Sequence, residues 1–241
     1  MFEKLEKLQI VTLGVLLALG LVFTAKIVTG NLSKDVISVT GSASKVVTSD
    51  SGRIEFEIIA RKADKKASNA LIQQQIPEVV KYLQDKGIDS KDIEIKAPNG
   101  YVTYKYTPNG NATNEIAFYN LSQPMSVTST DVQKIKTLST DISNLISQGI
   151  DINVFPPAYF YSGLSDLKVE LLEDATTDAK QRAEAMLKAT HNRAGKIQSV
   201  KMGVFQITPV DSTNVSDYGI NDTTTIEKKV TSVANVVFRI K

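Results

Sequence analysis

Two long stretches repeat apolar residues at spacings of three and four, and runs of strict alternation flank each of them. That switching between a period of 3.6 and a period of 2 restricts the chain to helices laid on sheet. In residues 63–86 the helical stripe is Ala67, Leu71, Ile72, Ile76, Val79, Val80 and Leu83. Pro77 is expected to bend this helix and Gly87 to end it. In residues 165–192 the stripe is Leu164, Leu167, Leu171, Ala175, Ala179, Ala183 and Met186, with Gly195 as the expected stop. Its alanines make the middle of that face narrow, so sheet or a second helix can come close. A third helix is expected over residues 131–148, on Val132, Ile135, Leu138, Ile142, Leu145 and Ile146, closed by Gly149.

Around these lie the strands. "VISVTG" reads as a short strand with Ile37 and Val39 on one face, and "GRIEFEI" points Ile54, Phe56 and Ile58 inward. "DIEI" and "PMSVTS" follow the same reading, and "GYVTYKYTP" returns through Pro108-Asn109-Gly110 into "EIAFYNL" as a hairpin. "AYFYS", "KIQSVKMGVFQIT" and "VTSVANVVFRI" complete the set. The expected class is α+β, with long helices packed on mostly antiparallel sheet in two related strand–helix–strand halves.

Ahead of this body, Leu8 to Ala25 is a run without a single charge. As a helix it spans about 27 Å, enough to cross a bilayer core. A signal peptide's apolar run is shorter and ends at a small-x-small site. Cutting at Ala18-Leu19-Gly20 would split the run, and cutting after Ala25 would leave Phe23 where a small residue belongs. The reading is therefore one N-terminal transmembrane helix that is retained, with residues 1–30 as anchor and 31–241 as an extracytoplasmic domain. Lys4 and Lys7 before the span are balanced by Lys26 and Lys34 after it. The short head and long tail favour a cytoplasmic N-terminus in a single-pass membrane protein, with the lipid bilayer met through residues 8–25.

The remaining composition is mainly exclusive. A net charge of +2 with interleaved signs offers no basic stripe for nucleic acid. The absence of cysteine excludes disulfides, thiolate catalysis, cysteine zinc sites and a lipid-modified cysteine. His191, the one histidine, is placed by the pattern in the last turn of the long helix, where a cation or donor suits the dipole. No serine elbow, phosphate loop or dinucleotide fingerprint accompanies it. Asp85, Asp89, Asp92 and Glu94 cluster without the spacing of a calcium loop. Asp178–Arg182 and Glu184–Lys188 are expected as pairs on a solvated helix face. Five glycosylation-type sequons, at Asn31, Asn111, Asn120, Asn214 and Asn221, are read as turn chemistry. The sequence reading therefore names no catalytic residue, no cofactor and no metal ligand.

"ISVTGSASKVV", "YLQDKGIDSKDIEI", "AYFYS", "EDATTDAKQRAEAMLKA" and "AGKIQSVKMG", in this order and spacing, resemble the SIMPL-domain family over nearly everything after residue 35. The tail "GVFQITPVDSTNVSDYGINDTTTIEKKVTSV" resembles its membrane-anchored bacterial members. The resemblance implies an extracytoplasmic protein of the bacterial envelope whose relatives are tied to stress tolerance. Some of those relatives form ring-like homo-oligomers, and the resemblance carries over no enzyme activity.

Two groups of residues are left as candidates. Tyr101, Tyr104, Tyr106, Tyr159 and Tyr161, on strands, are candidate ligand-facing aromatics for a cell-wall or small-molecule ligand. Residues 208–229 form a long stretch without a period, yet hold Val215, Tyr218, Ile220 and Ile226. A solvated loop gains nothing by exposing these, so Val215, Tyr218, Gly219 and Ile220 are the expected contact with a second copy of the chain. The leading expectation is a non-enzymatic, anchored protein that assembles with itself, and the alternative is an envelope ligand-binding module.

Overall fold

A computed structural model describes residues 12–26 and 35–241. Residues 12–26 are helical (α1), and every one of them is exposed. The expected span Leu8–Ala25 begins outside the described residues, as do Asn31 and Lys34. Among the described residues no helix is long and apolar enough to cross a membrane. The chain divides into two compact units.

The larger unit holds residues 43–172 and 204–232. Its main sheet contains β2 (Ser51–Lys62), β3 (Ile93–Ile95), β4 (Asn99–Tyr106), β5 (Ala112–Ser129), β6 (Ile152–Val154) and β7 (Ala158–Phe160). The order is β3-β5-β2-β6, with β4 also on β5 and β7 also on β2, and every register is antiparallel. Ile54, Phe56 and Ile58 alternate inward from β2 as expected and Ala60 continues the row, opposite Val127, Met125, Gln123 and Leu121 of β5. On this face lie α2 (Lys65–Asp85) and α3 (Val132–Asp141), which contribute Ile72, Val79, Leu83, Ile135 and Leu138 to one core.

Local chemistry sets the helix ends. Asp64 caps α2 by accepting from the Ala67 N–H, and Asp131 caps α3 by accepting from the Lys134 N–H. Gly87, at φ +78°, closes α2 where the sequence places the stop. The third expected helix is broken. It turns at Ile142 and Ser143 and resumes as α4 (Asn144–Ser147), which buries Leu145 but leaves Ile146 exposed. The two expected strands "EIAFYNL" and "PMSVTS" are instead one strand, β5, that runs straight through Pro124. Pro124 can accept but not donate: its carbonyl takes the Lys96 N–H at 3.0 Å. The return bond, which proline cannot make, is replaced by the buried Gln123 side-chain amide donating to the Lys96 carbonyl. "AYFYS" is strand only over β7, and Tyr161 lies beyond it.

Also in this unit are β9 (Gln206–Pro209), β10 (Ile220–Asn221) and the first part of β11 (Glu227–Ile240). β9 pairs antiparallel with β11 and parallel with β10. A second cluster of Val47, Leu167, Leu171, Ile207 and Val230 packs here.

The smaller unit holds residues 173–203, 233–241 and the described residues up to Ser42. It contains β8 (Ala194–Met202), the end of β11, the start of β1 (Val36–Thr48) and most of α5 (Leu164–Lys188). "VISVTG" therefore opens a strand of 13 residues. Ala175, Ala179 and Ala183 are fully buried, as the narrow face implied. Gly41 of β1 meets the first two: a Cβ there would collide with the backbone of Ala175 and Ala179, with the Ala179 Cα 2.8 Å away. The last buried position of α5 is Leu187, whereas Met186 is exposed. The helix also stops earlier than expected. His191 lies past its end, at φ +57°, where its N–H donates to Lys188 O while the Asn192 N–H donates to Leu187 O. That is a Schellman end with histidine in the left-handed position that glycine usually takes, and Gly195 belongs to β8.

Candidate functional site

The long stretch between β9 and β11 is ordered by its own polar groups. Gln206, buried on β9, clamps it: Nε2 donates to Ser216 O at 2.7 Å, and Oε1 accepts from the Ser216 N–H at 3.2 Å. The Ser216 hydroxyl then accepts from the Tyr218 N–H, and the Ser216 carbonyl accepts from the Gly219 N–H. Gly219, at φ +83°, turns the chain into β10, with the Phe205 carbonyl 2.9 Å from where a Cβ would sit. Held this way, Tyr218 is 98% exposed and Val215 is 82% exposed. Beside them an open groove of about 440 Å³ is lined by Leu164, Lys168, Phe205, Tyr218, Gly219 and Ile220. The Lys168 ammonium lies 5.4 Å above the Phe205 ring.

The residue after the groove's Asn221, Asp222, belongs to a buried ion pair. Lys228 Nζ is 3.4 Å from Asp222 Oδ2, with the two side chains 3% and 8% exposed. The ammonium also donates to the Asp222 carbonyl at 2.8 Å and to the Thr225 carbonyl at 2.6 Å. Asp222 accepts from the Thr224 N–H and hydroxyl and from the Thr225 N–H and hydroxyl. Burial pushes the Asp222 carboxyl up. The Thr225 and Thr224 groups and the Lys228 charge outweigh it, so the carboxyl is held well below the usual carboxylate range. Burial pulls the Lys228 ammonium down, against the upward pull of Asp222. Tyr159, Tyr161, Leu164, Ile207, Asp222 and Lys228 line a cavity of about 120 Å³.

The candidate residues do not form one site, although Tyr159 and Tyr161 meet at this cavity. Val215, Tyr218, Gly219 and Ile220 share the clamped loop and its exit. Tyr159 is 4% exposed within the main core, and burial raises its phenol. Tyr161 packs on the second cluster. Tyr101, Tyr104 and Tyr106 are exposed along the β4 hairpin, whose register shifts on both sides of Tyr104. Tyr101 also borders a cleft of about 310 Å³ with Lys65, Asn69, Asn99, Tyr119 and Asn120. Of the expected helix pairs, Asp178–Arg182 is present at 2.8 Å, but Glu184 meets Lys180 rather than Lys188. Among the described residues no group of His, Asp and Glu is arranged to hold a metal ion.

The Asp222–Lys228 pair had signals in the sequence, whereas the Gln206 clamp had none. "DTT" is an aspartate followed at once by two threonines, the pattern of a carboxylate folding back on its own turn. Lys228, Val230, Ser232, Ala234, Val236 and Phe238 alternate as one strand face, so a lysine stands in register with a buried row. Residues 37–238 match the family described as "SIMPL: Protein of unknown function (DUF541)". No curated protein matches the chain.

Proposed function

We propose that this chain, which belongs to the SIMPL family, is a non-enzymatic protein of the bacterial envelope that assembles with copies of itself, in a stress-related role. In this reading residues 8–25 hold it in the membrane with the N-terminus cytoplasmic and both units on the extracytoplasmic side. The observation that carries the assembly is the clamped loop. Gln206 and Ser216 order its backbone, yet two of its apolar side chains, Val215 and Tyr218, are left in water. A segment ordered in advance loses little further entropy on association, and an exposed tyrosine is a strong interface anchor. The anchor is supported by α1, where Leu16, Leu19, Leu21 and Phe23 are all exposed. A helix apolar all round has no stabilising surroundings in water, whereas lipid supplies them.

Particle mass measured in mild detergent tests the assembly. The parent should be a defined oligomer, and Val215→Ser with Tyr218→Ser should shift it toward monomer without lowering its melting temperature. Both side chains are mostly in solvent, so the double variant separates assembly from folding. An unchanged particle mass overturns this contact. The cleft beside Tyr101 supports the second reading, an envelope ligand module. Tyrosine fluorescence, in a chain with no tryptophan, would report cell-wall oligosaccharide binding there.

A further inference from the structure

The end of the smaller unit's sheet gathers cations that are far apart in sequence. Arg193 and Lys241 exchange both main-chain hydrogen bonds, at 2.8 and 2.9 Å. Residues paired in this way lie directly opposite each other with side chains on one face. Arg239, near the end of β11, alternates with the buried Phe238 and so is exposed on the side away from that buried row, two residues before Lys241. Gly195 leaves room for the lysine stem: a Cβ there would meet Lys241 Cγ at 3.2 Å and Cε at 3.3 Å. Like charges directly opposite on neighbouring strands destabilise a sheet. All three side chains are exposed, and among the described residues no ion pair joins any of them to a carboxylate. Around the same end lie Lys188, His191 and Glu184, which border an open hollow of about 570 Å³ with Arg193. Lys196 is near in sequence on β8. The acidic groups at this end are Glu184, Asp35 and, where this sequence ends, the Lys241 carboxylate, so the end carries a cationic excess.

The chain arrives from its apolar head at this same place. The Asp35 carbonyl accepts the Ile240 N–H at 2.7 Å, next to Lys241. Residues 26–34 are all that separate Asp35 from the end of the apolar run, and nine residues reach at most about 30 Å. The tether therefore keeps this end near the membrane, and it holds three cations that no described carboxylate answers. We propose that the Arg193–Arg239–Lys241 cluster rests on the anionic phospholipid headgroups of the bilayer in which the chain is anchored. This rests on the anchored reading above. A headgroup phosphate answers the like-charge pair as a carboxylate would, and each basic residue near an anionic surface favours the docked state about fivefold.

The test uses the full chain with Asn192→Cys, the single cysteine in an otherwise cysteine-free sequence, carrying a fluorophore. The chain is reconstituted into vesicles that contain a headgroup-linked quencher. Vesicles are made of phosphatidylcholine alone or with phosphatidylglycerol. Quenching is expected with phosphatidylglycerol, weak without it, and reversed by high salt. R193E, R239E and K241E together should abolish it while flotation with the vesicles and the melting temperature stay unchanged. Excess inorganic phosphate at constant ionic strength should leave quenching intact. Quenching that is equal in both vesicle types, indifferent to salt or unchanged in the triple variant overturns the proposal. Displacement by inorganic phosphate also overturns it, in favour of a small-anion site. Failure of the unsubstituted chain to float with vesicles sinks the anchored reading instead, and the two failures are distinguishable.

Discussion

Asp222 and Lys228 show how a single pair of residues can hold a stretch that has no secondary-structure period. The carboxylate collects two threonine hydroxyls, two N–H groups and an ammonium, and the ammonium in turn collects two carbonyls. Removing one partner strands the other without its charge. Asp222→Asn should therefore cost about 3–5 kcal/mol in chemical denaturation. Adding Lys228→Met should recover part of that loss, because the remaining cation is then replaced by an apolar chain. A double variant as unstable as the single one would show that the threonine bonds matter more than the ion pair. The pH dependence follows from the depressed Asp222 carboxyl. Such a group contributes stability that is fully present above its unfolded value, near 3.9, and lost as pH falls through the lower folded one. The parent's melting temperature should fall from about pH 5 downward, and Asp222→Asn should flatten that part of the curve.

At the scale of elements, α5 joins two different kinds of packing. Leu167 and Leu171 bury large side chains, whereas Ala175 and Ala179 bring the helix backbone itself against Gly41 of β1. Ala179→Leu has no space to occupy and should destabilise by about 3 kcal/mol, the upper end for overpacking. Gly41→Ala should act in the same direction through the same contact. If either variant melts with the parent, α5 turns a different face to β1. At the other end of α5, His191→Gly should stabilise by about 0.5–1 kcal/mol, since glycine adopts the left-handed cap without the Cβ clash. These elements also show which parts of the fold are legible in sequence. The stripes of α2 and α5 and the alternation of β2 can be read because one face is apolar over many residues. The turn of Met186 to solvent and the helix end before His191 cannot, because histidine stands in a glycine position and no pattern marks it. β5 reads as two strands because proline usually interrupts a central strand, and here Gln123 supplies the missing donor. Val215 and Tyr218 stand out in sequence as apolar groups in a polar segment. The clamp that holds them out depends on Gln206, which no local spacing connects to Ser216.

At the scale of the whole molecule, the question is which part of the chain folding depends on. Every buried hydrophobic residue of the described chain comes from residues 39–238, and the first hydrogen bond tying the head side of β1 into the sheet is at Asp35. α1 contributes no buried residue. Its apolar side chains have nothing to gain from the fold and much to gain from lipid. Deleting residues 1–34 should therefore leave the melting temperature of the remainder within a few degrees of the full chain in detergent. The shortened protein should also need no detergent to remain in solution, and it should no longer float with vesicles of phosphatidylcholine. The Gln206 clamp and Tyr218 are intact in it, so an oligomer built through that loop should persist, in keeping with an interface made outside the membrane. If the shortened chain melts much lower, the head packs on the fold. If it folds but is monomeric, the anchor helices assemble the particle and the loop does not.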